Sequence, residues 1–183
     1  MKKRCPWAEV DDLYRNYHDN EWGKPVHDDR LLFEMLNLEG AQAGISWHII
    51  LKKRKAYQEL FLNFDAEALL ATSADYREHL LLEPGIIRNK LKIKAVFTNA
   101  TAFLKVKEEF GSFDQYLWGF VDHQPIDNKF TTLSEVPAES EISIQLSKDL
   151  KKRGFKFVGP KIIYAYMQAI GMVNDHLMDC PCY

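Results

Sequence analysis

Glu39 is the residue whose placement asks most of its surroundings. It shares the i, i+3, i+4, i+7 face of an apolar helix with Leu32, Met35 and Leu36. A carboxylate on such a face is desolvated unless something compensates it. A structural partner, a lysine or a helix N-terminus, is one solution; a polar or cationic ligand is the other. Small residues then follow in Gly40-Ala41-Gln42-Ala43-Gly44, which lets other groups come close, and Trp47 stands where it could wall the same space or join the core. Upstream, Tyr17-His18-Asp19-Asn20-Glu21-Trp22 crowds rings, an imidazole and two carboxylates together before Gly23 and Pro25 break the chain. These rings are either a binding wall or core aromatics with satisfied polar tips.

A second set of residues suits a metal. Cys5 and His18 lie early in the chain, His176 and Cys180 late, and the His-x3-Cys spacing puts the later two around one turn. Two thiolates and two imidazoles fill a tetrahedral zinc shell with no open position, so one Zn²⁺ held there is expected to be structural. Cys182 rivals Cys180 as a ligand, and coincidence among six histidines is the competing explanation. Three cysteines clustered at the two extremes do not form a disulfide scaffold, which points to a reducing, cytoplasmic setting.

A third set is basic. In Leu150-Lys151-Lys152-Arg153-Gly154-Phe155-Lys156-Phe157-Val158-Gly159-Pro160, a charged helix end meets Gly154, and Gly159-Pro160 opens the next helix. A hairpin of this kind can aim backbone N–H groups at a phosphate without reading bases. Lys52 to Lys55 and Arg88 to Lys94 add further basic stretches, which are either solvated helix faces or parts of a DNA surface.

The elements that must position these residues are helical. Ile93, Val96, Phe97, Ala100, Phe103 and Leu104 follow one face of a long helix, and Ile163, Tyr166, Met167 and Ile170 repeat the pattern. Ser112-x-x-Gln115 and Thr132-x-x-Glu135 read as capping boxes, and Asp65 as the cap of an Ala-Leu stretch. No strand alternation is evident, so the spacing predicts an all-α domain of roughly eight to ten short helices, with 128–140 as its most loop-like part. The 183 residues suit one domain, 46% of them hydrophobic. A formal net charge of −2 excludes a global basic field, so any contact with nucleic acid must be local. No apolar run follows the basic opening and none is long enough to span a bilayer, so neither export nor a membrane is expected. Nothing in the sequence asks for an oligomer, and a monomer is expected.

Several long strings together resemble the bacterial DNA-3-methyladenine glycosylase I family, within the helix–hairpin–helix glycosylases. They are Tyr17 to Gly23, Leu38 to Trp47, Gly85 to Arg88, Thr132 to Glu135, Lys152 to Gly159 and Val173 to His176. The resemblance covers essentially the whole chain, 1–183. It implies a helix–hairpin–helix fold whose termini, about 1–20 and 172–183, join at a structural zinc held by Cys5, His18, His176 and Cys180. It implies a monofunctional hydrolase that excises 3-methyladenine from alkylated double-stranded DNA and leaves an abasic site. Glu39 and Tyr17 would hydrogen-bond the base, Trp47 would stack on it, and Trp7 and Trp22 would stand nearby. Gln42, Gly44 and Ile45 would touch DNA around the lesion. Lys152, Arg153, Gly154, Phe155, Lys156 and Gly159 would form the DNA-binding hairpin. Most helix–hairpin–helix glycosylases carry a catalytic Asp after the hairpin; here Asp175 and Asp179 flank the expected metal ligands, where such a role is doubtful.

The residues support the implied chemistry. Methylation at N3 makes adenine cationic and activates its glycosidic bond, so the demand falls on recognition and base flipping. A negatively charged Glu39 ringed by aromatics would prefer that cation to neutral adenine. Two other classes compete: a non-catalytic lesion-binding module, and a small-nucleoside hydrolase. An intact Glu39, Tyr17 and Trp47 argue against the first. A basic hairpin argues against the second.

Overall fold

A computed structural model describes residues 3–183; Met1 and Lys2, the start of the basic opening, lie outside the described residues. Among these residues nine α-helices form: α1 (Asp12–Asn20), α2 (Asp29–Ala41), α3 (Trp47–Leu60), α4 (Ala66–Leu70), α5 (Ala74–His79), α6 (Lys90–Phe110), α7 (Phe113–Trp118), α8 (Glu141–Lys152) and α9 (Pro160–Ala169). Their starts follow from the sequence. Asp11, Asp28, Ser46, Asp65, Ser73, Asn89, Ser112 and Ser140 each accept a backbone N–H of the helix they open. The Thr132–Glu135 capping box is present but closes only a single 3₁₀ turn, Leu133–Glu135.

The long helix read from Ile93 to Leu104 is α6, of 21 residues, and the nine helices fall within the expected eight to ten. One expectation is corrected. A strand pair exists: β1 (Ile126–Asp127) lies parallel to β2 (Val173–Asn174), with Ile126 N–H donating to Met172 O at 2.9 Å. Two residues per strand leave no alternation to read, yet the pair ties the 126–128 segment to the residues just before His176.

α2 is the axis of the fold. It touches α3, α6, α7 and α9, and every residue from Leu32 to Ala41 is buried. A helix buried on all sides must account for its polar side chains. Glu34, 0% exposed, accepts from Arg30 at 3.1 Å and from Arg54 and Gln58 at 2.8 Å each. Asn37 donates to Phe33 O and accepts from Asn99 of α6 at 2.9 Å. Gly40 allows the turn after α8 to approach, since a Cβ there would lie 3.1 Å from the Cβ of Phe157. Glu39 is the third polar residue of this stretch, and its surroundings differ.

No helix among the described residues is long and apolar enough to cross a membrane.

Candidate active site

α1 places Tyr14, Tyr17 and His18 on one face at i, i+3 and i+4. The 3₁₀ turn Pro6–Glu9 brings in Trp7, and the chain beyond α1 brings in Trp22. Trp7 meets Tyr14 at 5.6 Å, Tyr17 at 6.4 Å and Trp22 at 5.0 Å between ring centroids. Trp47, the first residue of α3, tilts across Tyr17 at 5.6 Å. Together these rings enclose a cavity of about 290 Å³ that Glu39 reaches from the last turn of α2. That volume suits a purine-sized ligand.

Three polar groups at this cavity lack ordinary compensation. Glu39 is 4% exposed, and burial alone raises its carboxyl to about 8; no lysine or arginine among the described residues locks it. The Tyr17 hydroxyl and the Trp47 indole N–H are buried without a hydrogen-bond partner. Burial, and then the neighbouring Glu39, pushes the Tyr17 phenol far above its ordinary value. Buried polar groups are nearly always satisfied. One acceptor and two donors left open around one cavity mark a place for a ligand that carries both. With a value near 8, the Glu39 side chain favours the neutral acid at pH 7 while no cation of the described residues faces it.

The cavity also takes in residues to which the sequence assigned no place there. Tyr14 joins the ring wall, and its signal was the shared helix face with Tyr17. Leu133 and Val136 close one side from the loop-like segment, with the Leu133–Glu135 turn holding them there. Asp175 lines the cavity and is buried, accepting from Tyr164 at 2.6 Å, Asn128 at 2.7 Å and Gln168 at 2.8 Å. Its partners come from two places in the chain, α9 and the segment after β1, so no local pattern announced its place in the cavity.

Cys5, His18, His176 and Cys180 converge, all four buried, with their ligand atoms within 4.8 Å of one another. Cys180 Sγ lies 3.5 Å from His18 Nε2 and 3.7 Å from His176 Nδ1, and Cys5 Sγ lies 4.0 Å from the latter. His18 Nδ1–H donates to Asp19 at 2.7 Å, and His176 Nε2–H donates to the Trp22 carbonyl at 3.0 Å. Each ring therefore turns its lone pair towards the thiols, an arrangement that could hold a metal ion. Cys182 instead faces Asp19 at 3.6 Å and belongs to a second, overlapping group with His18 and Asp19.

The turn between α8 and α9 departs from expectation in two of its residues. Arg153 is not a free cation: it pairs with Asp149 and Glu109 at 2.7 Å each and lies over the rings of Phe110 and Tyr116. Phe155 is 2% exposed and packs on Phe113, so its side chain belongs to the core. The backbone N–H groups of Arg153, Gly154 and Phe155 bond to the end of α8, and that of Lys156 bonds to Asn99 Oδ1 at 2.7 Å. Those amides are consumed internally and are not aimed at a phosphate. Lys152 and Lys156 are exposed. Gly154 adopts a φ of +98°, which glycine tolerates, and Gly159 opens α9 with no side-chain cap. At the cavity mouth, Gln42 lines the opening, Gly44 is exposed, and Ile45 rests half-buried on the core.

A helical shell around an aromatic pocket with an uncompensated acid defines a protein that binds a flat, cationic or hydrogen-bonding ring. The comparisons make the class specific. The family model described as methyladenine glycosylase matches residues 7–183. The chain is 49% identical over 181 residues to DNA-3-methyladenine glycosylase 1 of Escherichia coli (strain K12), covering 99% of this chain and 97% of that one. A crystal structure of 3-methyladenine DNA glycosylase I superposes with a TM-score of 0.96 at 48% identity, covering 99% of this chain and 100% of that one. A tyrosine-to-phenylalanine variant of 3-methyladenine DNA glycosylase I, in complex with 3-methyladenine, superposes at 0.94 with 38% identity, covering 97% and 96%. The chain belongs to the methyladenine glycosylase family.

Proposed function

We propose that this protein is a DNA glycosylase that flips 3-methyladenine out of alkylated double-stranded DNA, hydrolyses its glycosidic bond and leaves an abasic site. The observation that carries the reading is Glu39, buried at an aromatic cavity with no cation to face it. A methylated purine supplies that cation. Its entry between Trp47, Tyr17, Trp7 and Trp22 gains cation–π attraction, on the order of 1–2 kcal/mol when desolvated. It also favours the carboxylate over the acid, so Glu39 gives up its proton as the base enters. Neutral adenine offers neither gain and leaves the desolvation cost of an ionised Glu39 unmet.

The chemical step needs little from the protein. The C1′–N9 bond breaks, its electron pair stays on the departing 3-methyladenine, and water adds to C1′ with loss of a proton. Glu39 steadies the positive charge as it spreads between base and sugar, while Tyr17 holds the ring by a hydrogen bond and Trp47 stacks on its face. Gln42, Gly44 and Ile45 meet the DNA at the mouth. The helix–hairpin–helix formed by α8, the intervening turn and α9 meets the backbone through Lys152, Lys156 and the uncapped start of α9 around Gly159. Arg153 and Phe155 shape that turn from within, and Gly154 lets it bend.

The four-residue cluster suits Zn²⁺. With Zn–S near 2.3 Å and Zn–N near 2.05 Å, a tetrahedron has S···N edges of about 3.6 Å, and the cluster shows 3.5, 3.7 and 4.0 Å. The donors are all protein side chains, so the ion would tie the two chain ends together and take no part in the reaction. Chelation is expected to lower Tm and loosen both ends; folded, metal-free protein with normal DNA affinity and no excision would contradict a structural ion. We read the enzyme as a monomer of the reducing cytoplasm, where such thiols stay available.

Incubating the protein with methylated duplex DNA tests the function. Release of 3-methyladenine with matching abasic sites is expected. Tight binding without release would favour a lesion-binding module, and cleavage of free nucleosides but not duplex would favour a nucleoside hydrolase.

A further inference from the structure

Lys92, on the first turn of α6, is far from Glu39 in sequence and is not part of the cavity. Its ammonium reaches across to the end of α2, where it donates to Ala41 O at 2.9 Å and to Ala43 O. Ala41 closes α2, and Ala43 lies in the turn that follows, so the two carbonyls point at Lys92 only if the turn takes one particular shape. A cation at a helix C-terminus also complements the helix dipole. Partial burial of the amine lowers its proton affinity, and its hydrogen-bond partners in the fold are these two carbonyls.

The segment fixed this way is the rim of the cavity. It leaves α2 one turn after Glu39 and carries Gln42 into the lining. It exposes Gly44 at a φ of +80°, with open space where a side chain would stand, and returns through Ser46 to Trp47. The rim is otherwise lightly held: Ile45 N–H bonds to Gln42 O at 2.7 Å, and Ala43 N–H to Gly40 O at 3.3 Å. A free base can enter the cavity without pressing on it. A base still attached to a duplex cannot, because the rest of the DNA must lie against whatever surrounds the opening.

We propose that Lys92 is a positioning residue for duplex engagement: it sets the shape of the 42–46 rim and so governs access from DNA, without contacting the base. The inference rests on the glycosylase reading above. It is tested with Lys92→Met, which keeps the aliphatic stem and removes the donors, and with Lys92→Arg, which can still donate to two carbonyls. Three quantities are measured for each intact protein: kcat and KM on methylated duplex, affinity for a duplex containing an abasic site, and affinity for free 3-methyladenine. Lys92→Met is expected to raise KM and weaken abasic-duplex binding roughly tenfold, the scale of losing charge-assisted hydrogen bonds. Its kcat and its free-base affinity should stay within about twofold of the parent, and Lys92→Arg should restore most of the duplex binding. Unchanged KM and duplex affinity in Lys92→Met would overturn the proposal. So would a parallel loss of free-base affinity, which would make Lys92 a support of the cavity itself. A parent protein that excises nothing from methylated duplex would instead remove the glycosylase reading, whatever the variants do.

Discussion

Glu34 and Glu39 sit on the same buried helix, little more than one turn apart, and have opposite surroundings. Glu34 is wrapped by Arg30, Arg54 and Gln58, and Arg54 in turn reaches Glu21, so α2, α3 and the residue that caps the end of α1 are tied through one charge cluster. Glu39 has rings, an unpaired phenol and an unpaired indole N–H in place of cations. Burial is costly in both cases. At Glu34 the cost is offset inside the fold. At Glu39 it is left standing, and on the proposed function a bound base would offset it, so that desolvation would become selectivity for a positively charged ring.

The largest effect that would separate the two sites is catalytic. Glu39→Gln is expected to cut base release from methylated duplex by about a hundredfold or more, with no loss of Tm; retained activity would break the contrast. Glu34→Ala should do the reverse. Removing one partner of a buried charge cluster costs about 3 kcal/mol, read as a lowered midpoint of denaturant unfolding, while the folded fraction keeps its free-base affinity. If Glu34→Ala left stability untouched, the cluster would not be the compensated half of the comparison.

The pH dependence sharpens the same contrast. Glu39 holds its proton up to about 8 in the folded protein, against an ordinary glutamate value of about 4.3 in the unfolded chain. The folded state therefore binds more protons between those values, and stability falls as pH rises through that window, by at most about 1.4 kcal/mol per pH unit from this group. The contribution is fully present below about pH 4 and lost above about pH 8. Glu39→Gln should flatten that part of the profile, and an identical slope in parent and variant would show that Glu39 is compensated after all. The smallest effect belongs to the unpaired donor. Tyr17→Phe removes a hydroxyl with no partner in the fold, so unfolding stability should not drop, while 3-methyladenine binding weakens by about 1 kcal/mol. A loss of stability as large as the loss of binding would mean the hydroxyl serves the fold.

The pattern of what the sequence revealed follows from the range of each interaction. Glu39 could be singled out because helical periodicity is local, and the caps at Asp65 and Ser112 could be read because a cap and its amide are three residues apart. The four metal-type ligands were legible as chemistry, since two cysteines and two histidines suit a metal, but that they converge was visible only in the fold. What separates Glu34 from Glu39 was not legible. Only Arg30 lies on the same helix as Glu34, and the other partners come from α3. The same limit explains half of Arg153: Asp149 stands one helical turn before it, but Glu109 of α6 arrives from 44 positions away. Asn99 was hidden for this reason too: it joins Asn37 to Lys156 N–H and O, so the central helix and the turn after α8 share one buried amide.

Calorimetric titration of the free bases tests the central claim most directly. Released 3-methyladenine is neutral, because the electron pair of the broken bond stays on it, but it is a stronger base than adenine and becomes the cation by taking the proton that buried Glu39 holds. Intact protein should therefore bind it and show no measurable heat with adenine, and Glu39→Gln, equally stable, should lose the first interaction. Equal affinity of parent and variant for 3-methyladenine, or equal affinity of the parent for both bases, would contradict the assignment of Glu39 as the group that recognises the methylated ring.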